Sequence, residues 1–210
     1  TWREAAAIES LYHGVRVAVI PHGVDTHRFT PTHNGHRDIL FVGRIDPLKG
    51  LHLLIDSLRF VDRDITLTVV GGPSKSDGGL GPIRSHAAGL NVRFVGPVRH
   101  DGLAEYYSRT SMLVVPSCYE SFGLVGLEAM ASARPVVGFS HTGLSETVGD
   151  NAGVLVKFGV RELARAIQGL ASDHGLRQRL GRKGRRKALA FDWSNIARRY
   201  KRTYENIIEK

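Results

Sequence analysis

Apolar residues along the chain fall into short uninterrupted runs that alternate with segments of helical spacing. Asp38-Ile39-Leu40-Phe41-Val42-Gly43 is the first clear run and reads as a buried strand. Runs at 65–70, 92–95 and 112–115 follow, with shorter ones at 135–138 and 154–156. Between them, 50–60 places Leu51, Leu54, Ile55 and Leu58 on one helical face, and 83–88, 101–108 and 122–133 also read as helices. Three closing helices are expected at 160–171, 176–190 and 194–208. At the other end, 1–12 has amphipathic helical spacing, and 15–20 is an apolar run closed by Pro21, His22 and Gly23, read as a strand and turn. Residues 30–37 are polar, with Pro31, Asn34 and Gly35, and read as a linker. Residues 74–82 are rich in Gly and Ser and read as a mobile loop.

Strands that are apolar throughout, rather than alternating, and that are separated by helices predict an α/β fold. It has a Rossmann-like parallel sheet with helices on both faces. The ligand crevice of such a sheet lies beyond the carboxyl ends of its strands. The residues that follow Val42, Val70, Val95 and Val115 are therefore expected to converge on one mouth.

Composition narrows the chemistry. The chain of 210 residues is long enough for one domain or slightly more. Its single cysteine, Cys118, excludes an intrachain disulfide and a thiolate zinc cluster, and fits a reducing cytosolic setting. No apolar run approaches the roughly 20 residues of a membrane span. The ten histidines are scattered; His22, His27, His33 and His36 lie without carboxylates at ligand spacing, so no metal is expected. His22 is read as a surface residue in a turn, with a place facing the cleft as the competing reading. Tyr106 and Tyr107 are read as core and rim. The net charge is 29 − 20 = +9, and eleven Lys or Arg fall between Arg177 and Arg202 against one acid, Asp192. Such a run is a solvated helix face, or it faces an anionic partner. Aromatic residues are not interleaved there as a single-strand-binding surface requires, so nucleic acid is not the expected partner.

Two loops carry candidate chemistry. After the first sheet strand comes Gly43-Arg44-Ile45-Asp46-Pro47-Leu48-Lys49-Gly50, in which two cations flank a turn and Lys49 stands at a helix start. A helix N-terminus favours anions, so the loop suits a diphosphate, although a solvated Arg and Lys near a turn are equally ordinary. After the fourth sheet strand comes Pro116-Ser117-Cys118-Tyr119-Glu120-Ser121-Phe122-Gly123-Leu124, with Glu128 further along the helix. Amides between two carboxylates suit a sugar that bears a diphosphate. The competing reading makes Glu120 a helix cap and Glu128 an exposed helix charge.

Glu120 and Glu128, with seven residues between them, match the Glu-x7-Glu signature of family 4 (group 1) retaining glycosyltransferases. The context Pro116-Ser117, Phe122-Gly123, Glu128-Ala129-Met130-Ala131 and Pro135-Val136-Val137 is more specific than the pair alone. Val19-Ile20-Pro21-His22-Gly23-Val24-Asp25 with Phe29 resembles the segment joining the two domains of that family. Gly43-Arg44 with Lys49-Gly50 resembles its diphosphate loop, and Phe191-Asp192-Trp193 leading to Tyr204 its closing helix. The resemblance runs in order over nearly the whole chain and implies the C-terminal, donor-binding domain of a two-Rossmann-domain (GT-B) enzyme. It implies an interdomain segment over 1–36, a nucleotide-sugar-binding domain over 37–192, and a helix over 193–210 that crosses to an N-terminal acceptor domain.

By the same resemblance, Arg44 and Lys49 bind the donor diphosphate beside Gly43 and stabilise the leaving group. Glu128 accepts from the ribose hydroxyls and Glu120 contacts the donor sugar. Amides of Phe122, Gly123 and Leu124 line the pocket, and Val98 and Arg99 hold the base through backbone groups. The co-substrate is a UDP-, GDP- or ADP-linked sugar, and no metal or other cofactor is implied. The N-terminal acceptor domain is expected to be missing here, leaving Trp193 and Tyr200 exposed and the chain inactive alone. The expected location is cytoplasmic, with the basic C-terminal helices in peripheral contact with anionic membrane. Two departures stand out. Ala133 replaces a frequent Gly, so the helix before Arg134 is expected to end differently, and Thr142 replaces another. A nucleotide-sugar epimerase and a non-catalytic subunit of a split transferase are the alternatives.

Overall fold

The computed structural model describes residues 1–15, 17–32, 38–73 and 79–208. Parts of the expected linker and of the Gly/Ser-rich loop, with His33, His36 and the 36/37 domain boundary, lie outside the described residues. Six strands, β1 (Ile39–Val42), β2 (Leu67–Val70), β3 (Val92–Gly96), β4 (Met112–Val115), β5 (Val136–Phe139) and β6 (Gly153–Val156), form one sheet in the order β3-β2-β1-β4-β5-β6. Every pairing is parallel. This is the doubly wound order, and its direction reverses between β1 and β4, where such sheets bind ligands.

Successive strand residues point to opposite faces, and both faces are dry at the central strands β1, β2, β4 and β5. Ile39, Phe41, Leu67, Val69, Met112 and Val114 enter one core; Leu40, Val70, Leu113 and Val115 enter the other. The first core is closed by α2 (Leu51–Leu58) and α7 (Val160–Ser172), which place Leu51, Leu54, Ile55, Leu163, Ile167 and Leu170 against the sheet. Each such side chain, fully buried, contributes about 1.5–3 kcal/mol. The second core is closed by α4 (Leu103–Arg109) and α5 (Leu124–Ala131), with α8 (His174–Leu189) packed on α5. Short helices α3 (Gly81–His86) and α6 (Leu144–Val148) fill connections, while α1 (Trp2–Leu11) and α9 (Trp193–Ile208) lie outside the two cores.

Several expectations need correction. Residues 17–20 form no strand, because their backbone groups bond to side chains: Arg199 donates to the Val19 carbonyl at 2.9 Å, and Glu9 accepts from the Val17 amide at 3.4 Å. The helix expected from 122 begins at Leu124, since Gly123 takes the left-handed conformation (φ 84°). The five-residue helix α6 is too short for its periodicity to stand out in the sequence. Ala133 does not change how α5 ends: it adopts φ 56° like the Gly it replaces. Its amide bonds to Met130 O at 3.0 Å and the Arg134 amide to Ala129 O at 2.7 Å, which together make a Schellman cap. Thr142 is buried and bonds to Phe139 O in an ordinary conformation.

The basic run on α8 is not simply a solvated face. Arg177 donates to Leu170 O and Ala171 O, capping the end of α7. Arg185 donates to Thr26 O, Phe29 O and Ala131 O, tying the N-terminal segment to α5. Lys187 reaches Glu146 O at 3.2 Å, and burial lowers its pKa. Exposed cations remain at Arg179, Arg182 and Arg186. At the start of α9, Asp192 accepts from the Thr26 hydroxyl and from the amides of Thr26 and Ser194. These bonds, the hydroxyl first, hold its carboxyl well below the usual carboxylate range. Beyond that anchor α9 buries only Ile196, and Trp193, Tyr200, Tyr204 and Ile207 are exposed along it.

Candidate functional site

The loops after β1 and β4 meet at the point where the strand order reverses. Asp46 opens the first loop: its Oδ1 accepts from the Lys49 amide at 2.9 Å and caps a single 3-10 turn, Pro47–Lys49. Gly50 then takes φ 68°, and a Cβ on it would stand 2.1 Å from the Pro116 carbonyl oxygen. Only Gly lets the two loops touch there. The Cys118 amide donates to Leu48 O at 2.8 Å, joining the loops a second time.

This clamp places Lys49 beside Glu120, with Nζ 2.8 Å from Oε2. The side chains are 27% and 13% exposed, so the pair stands at the edge of solvent. The hollow around it, of about 270 Å3, is also lined by Gly43, Phe122, Gly123 and Leu124. No side chain caps the N-terminus of α5, which opens at Gly123. Glu120 is therefore an ion-pair partner and not a helix cap. An uncapped helix N-terminus beside a lysine provides donors and positive potential for an anion.

Glu128 lines an adjoining hollow of about 390 Å3, which shares His22 and Leu124 with the first. It is no exposed helix charge: its residue is 8% exposed and both carboxylate oxygens are engaged. Oε2 accepts from the Tyr107 hydroxyl at 2.8 Å, and Oε1 lies 2.8 Å from His100 Nε2. Arg28 Nη1, which can only donate, lies 3.3 Å from His100 Nδ1. The neutral His100 ring therefore carries its proton on Nε2 and donates it to Glu128. Burial first, then the Glu128 carboxylate beside it, pushes the Tyr107 hydroxyl well above the ordinary tyrosine range. Tyr107 is thus a permanent donor that fixes one Glu128 oxygen.

The structure brings together Gly43, Lys49, Glu120, Phe122, Gly123 and Leu124, with Glu128 next door. It does not gather the remainder. Arg44 is 69% exposed at the rim, held by Asp46 Oδ2 at 3.2 Å. Val98 packs against the second core, and Arg99 is 90% exposed against Asp101. Two residues, Tyr107 and His100, gain roles in the site geometry that sequence reasoning did not give them, while His22, exposed, follows the competing reading that faced it to the cleft. His22 faces the cleft, with its ring edge-on to Phe122 at 5.5 Å. Tyr107 and His100 grip Glu128. No periodic or motif signal marked Tyr107, which reads as any aromatic in an amphipathic helix. His100 stands next to Arg99, which the resemblance had flagged. Among the described residues no three His, Cys, Asp or Glu converge as a metal group, and no helix is long and apolar enough to cross a membrane.

Comparison with known proteins gives this arrangement a family. The family model for glycosyl transferases group 1 matches residues 24–187. The chain is 35% identical to D-inositol 3-phosphate glycosyltransferase of Kribbella flavida over all of this chain and 56% of that protein. Among solved structures, sucrose-phosphate synthase from Thermosynechococcus elongatus superimposes with a TM-score of 0.88 at 31% identity, covering 99% of this chain and 56% of that one. Anabaena HepE, solved in complex with UDP, shares the fold with a TM-score of 0.82 at 23% identity, over 90% of this chain and 57% of that one. The chain belongs to the group 1 glycosyltransferases. It spans about half the length of the curated relatives it matches.

Proposed function

We propose that the chain is the donor-binding, C-terminal half of a retaining glycosyltransferase of family 4, which moves a sugar from a nucleoside diphosphate sugar to an acceptor held by a further domain. The observation that carries this reading is the Lys49–Glu120 pair standing beside the uncapped N-terminus of α5, with Glu128 in the adjoining hollow. In the structure each carboxylate is occupied by a cationic or proton-donating side chain. A donor exchanges those partners. Its diphosphate takes Lys49 and the α5 amides of Phe122, Gly123 and Leu124, its sugar hydroxyls donate to Glu120, and its ribose hydroxyls displace His100 from Glu128. Arg44 swings from Asp46 to the diphosphate, which its exposure permits, and backbone groups at Val98 and Arg99 hold the base.

When the bond between the anomeric carbon and the β-phosphate oxygen breaks, negative charge develops on the departing diphosphate. Lys49, Arg44 and the helix amides oppose that charge, which is the work a metal performs elsewhere, so no metal is required. Transfer then proceeds with retention on the face the diphosphate leaves. The UDP named in the HepE structure favours UDP as the carrier, and the transferase names of the relatives favour this reading over an epimerase or a non-catalytic subunit. The exposed face of α9 seats the acceptor domain. The exposed α8 cations Arg179 and Arg186 rest against anionic lipid on the cytoplasmic side.

Calorimetric titration with UDP, GDP and ADP tests the donor site. Saturable binding of one nucleotide that disappears in Arg44→Ala/Lys49→Ala is expected. Binding that survives the double substitution would place the diphosphate elsewhere.

A further inference from the structure

A second cavity, of about 310 Å3, opens at the opposite end of the sheet. Ser111, just before β4, and Pro135, just before β5, line it, so it lies the full length of those strands away from the candidate donor site, about 13 Å along four residues. Its charged lining is of one sign: Arg134, Arg177 and Arg182, with His174 beside them and no acid among the described residues.

Two of these arginines are buried, each 7% exposed. The described bonds of Arg134 go to neutral groups: Nε to Tyr107 O at 2.8 Å, and Nη2 to Ser108 O at 3.0 Å, Thr32 O at 2.9 Å and the Thr32 hydroxyl at 2.5 Å. Its Nη1 makes no hydrogen bond among the described residues. Carbonyls satisfy N–H groups but do not cancel a unit charge, and buried charges are ordinarily paired. Burial brings the Arg134 pKa down to about 10. A hollow lined by one sign of charge and walled by low-dielectric protein concentrates counter-ions, and guanidinium groups match tetrahedral oxyanions in geometry.

We propose that this cavity is a binding site for a phosphate-class oxyanion, either inorganic phosphate or the phosphate group of a small monoester. The bound anion bridges Arg134 to Arg182 across the entrance, linking the segment at Thr32 to β5 and the start of α8. It is separate from the donor diphosphate site and stands whether or not the glycosyltransferase reading does.

Thermal unfolding with inorganic phosphate titrated at fixed ionic strength tests it, in the unmodified chain, Arg182→Gln and Lys49→Ala. Arg182 is exposed and makes no described hydrogen bond, so its substitution leaves the fold intact. A saturating rise in Tm is expected, roughly 3–6 °C at ten times Kd, unchanged in Lys49→Ala. In Arg182→Gln a tenfold loss of affinity reduces it to about 1–2 °C at the same concentration. A sugar monophosphate arm separates the sources: a larger rise than inorganic phosphate gives at equal concentration identifies a monoester as the ligand, an equal rise the free anion. Three results would overturn the proposal: a rise linear in concentration, as excluded salts produce, a rise identical in Arg182→Gln, or a rise abolished by Lys49→Ala.

Discussion

The two ends of the sheet use cations in opposite ways. At the carboxyl end, the cation Lys49 and the neutral ring donor His100 meet side-chain carboxylates, and both pairs stand at the edge of solvent. At the amino end and behind α5, Arg134, Arg177 and Arg185 meet backbone carbonyls. A carboxylate side chain can give up its partner to an incoming ligand, and a helix-end carbonyl cannot move without unravelling its turn. Donor side chains therefore serve exchange at one end and fixation at the other, according to the partner they meet.

Substitutions should expose that difference. The largest effect on stability is expected from Arg134→Leu, which strips the carbonyls of Tyr107, Ser108 and Thr32 of a buried donor. Urea unfolding should show a loss of roughly 3 kcal/mol or more. Lys49→Ala should reverse the pattern: stability changes by less than about 1 kcal/mol, while UDP affinity measured by calorimetry falls roughly 30-fold to 100-fold. If the two variants lost stability equally, the contrast between exchange and fixation would be broken. Tyr107→Phe lies between them, since it frees one oxygen of a buried carboxylate. It should destabilise by about 1–2 kcal/mol and weaken UDP binding about tenfold, because Glu128 no longer holds its orientation. Ala133→Gly should be a small gain, about 1 kcal/mol, because it relieves a left-handed alanine while keeping the Schellman cap.

The acid limit sharpens the fixation half further. Asp192 has a folded pKa below its unfolded value, so its contribution to stability is present above the ordinary carboxylate pKa of about 4 and is lost as pH falls below it. Stability should therefore decline below pH 4 in the unmodified chain and decline less steeply in Asp192→Asn, as followed by thermal melts across that range.

Much of this was legible in the residues. The central strands β1, β2, β4 and β5 appeared as apolar runs because they are buried on both faces, whereas the edge strand β3 alternates half-buried and exposed residues; the order of runs and helices implied the doubly wound topology. Glu120 and Glu128 stood out because fixed spacing within one loop and its helix survives in sequence, and Lys49 because it ends a Gly-bounded loop after a strand. What was not legible lay in long-range pairing. Tyr107 reaches Glu128 across 21 residues, and Arg185 reaches Thr26 across 159, so no local pattern marks either. Residues 15–20 misled because an apolar run resembles a strand whether or not a neighbour is present to pair with it. Ala133 misled because propensity argued against a conformation that the bonds of Arg134 and the cap impose.

The most direct test of the account is an NMR titration of the chain with UDP, following backbone amides at both ends of the sheet. Amides at Lys49, Gly50 and 121–124 should shift progressively to saturation, while those at Ser111, Ala133 and Arg134 stay in place. Saturable shifts at the amino end with none at Gly123 would contradict it.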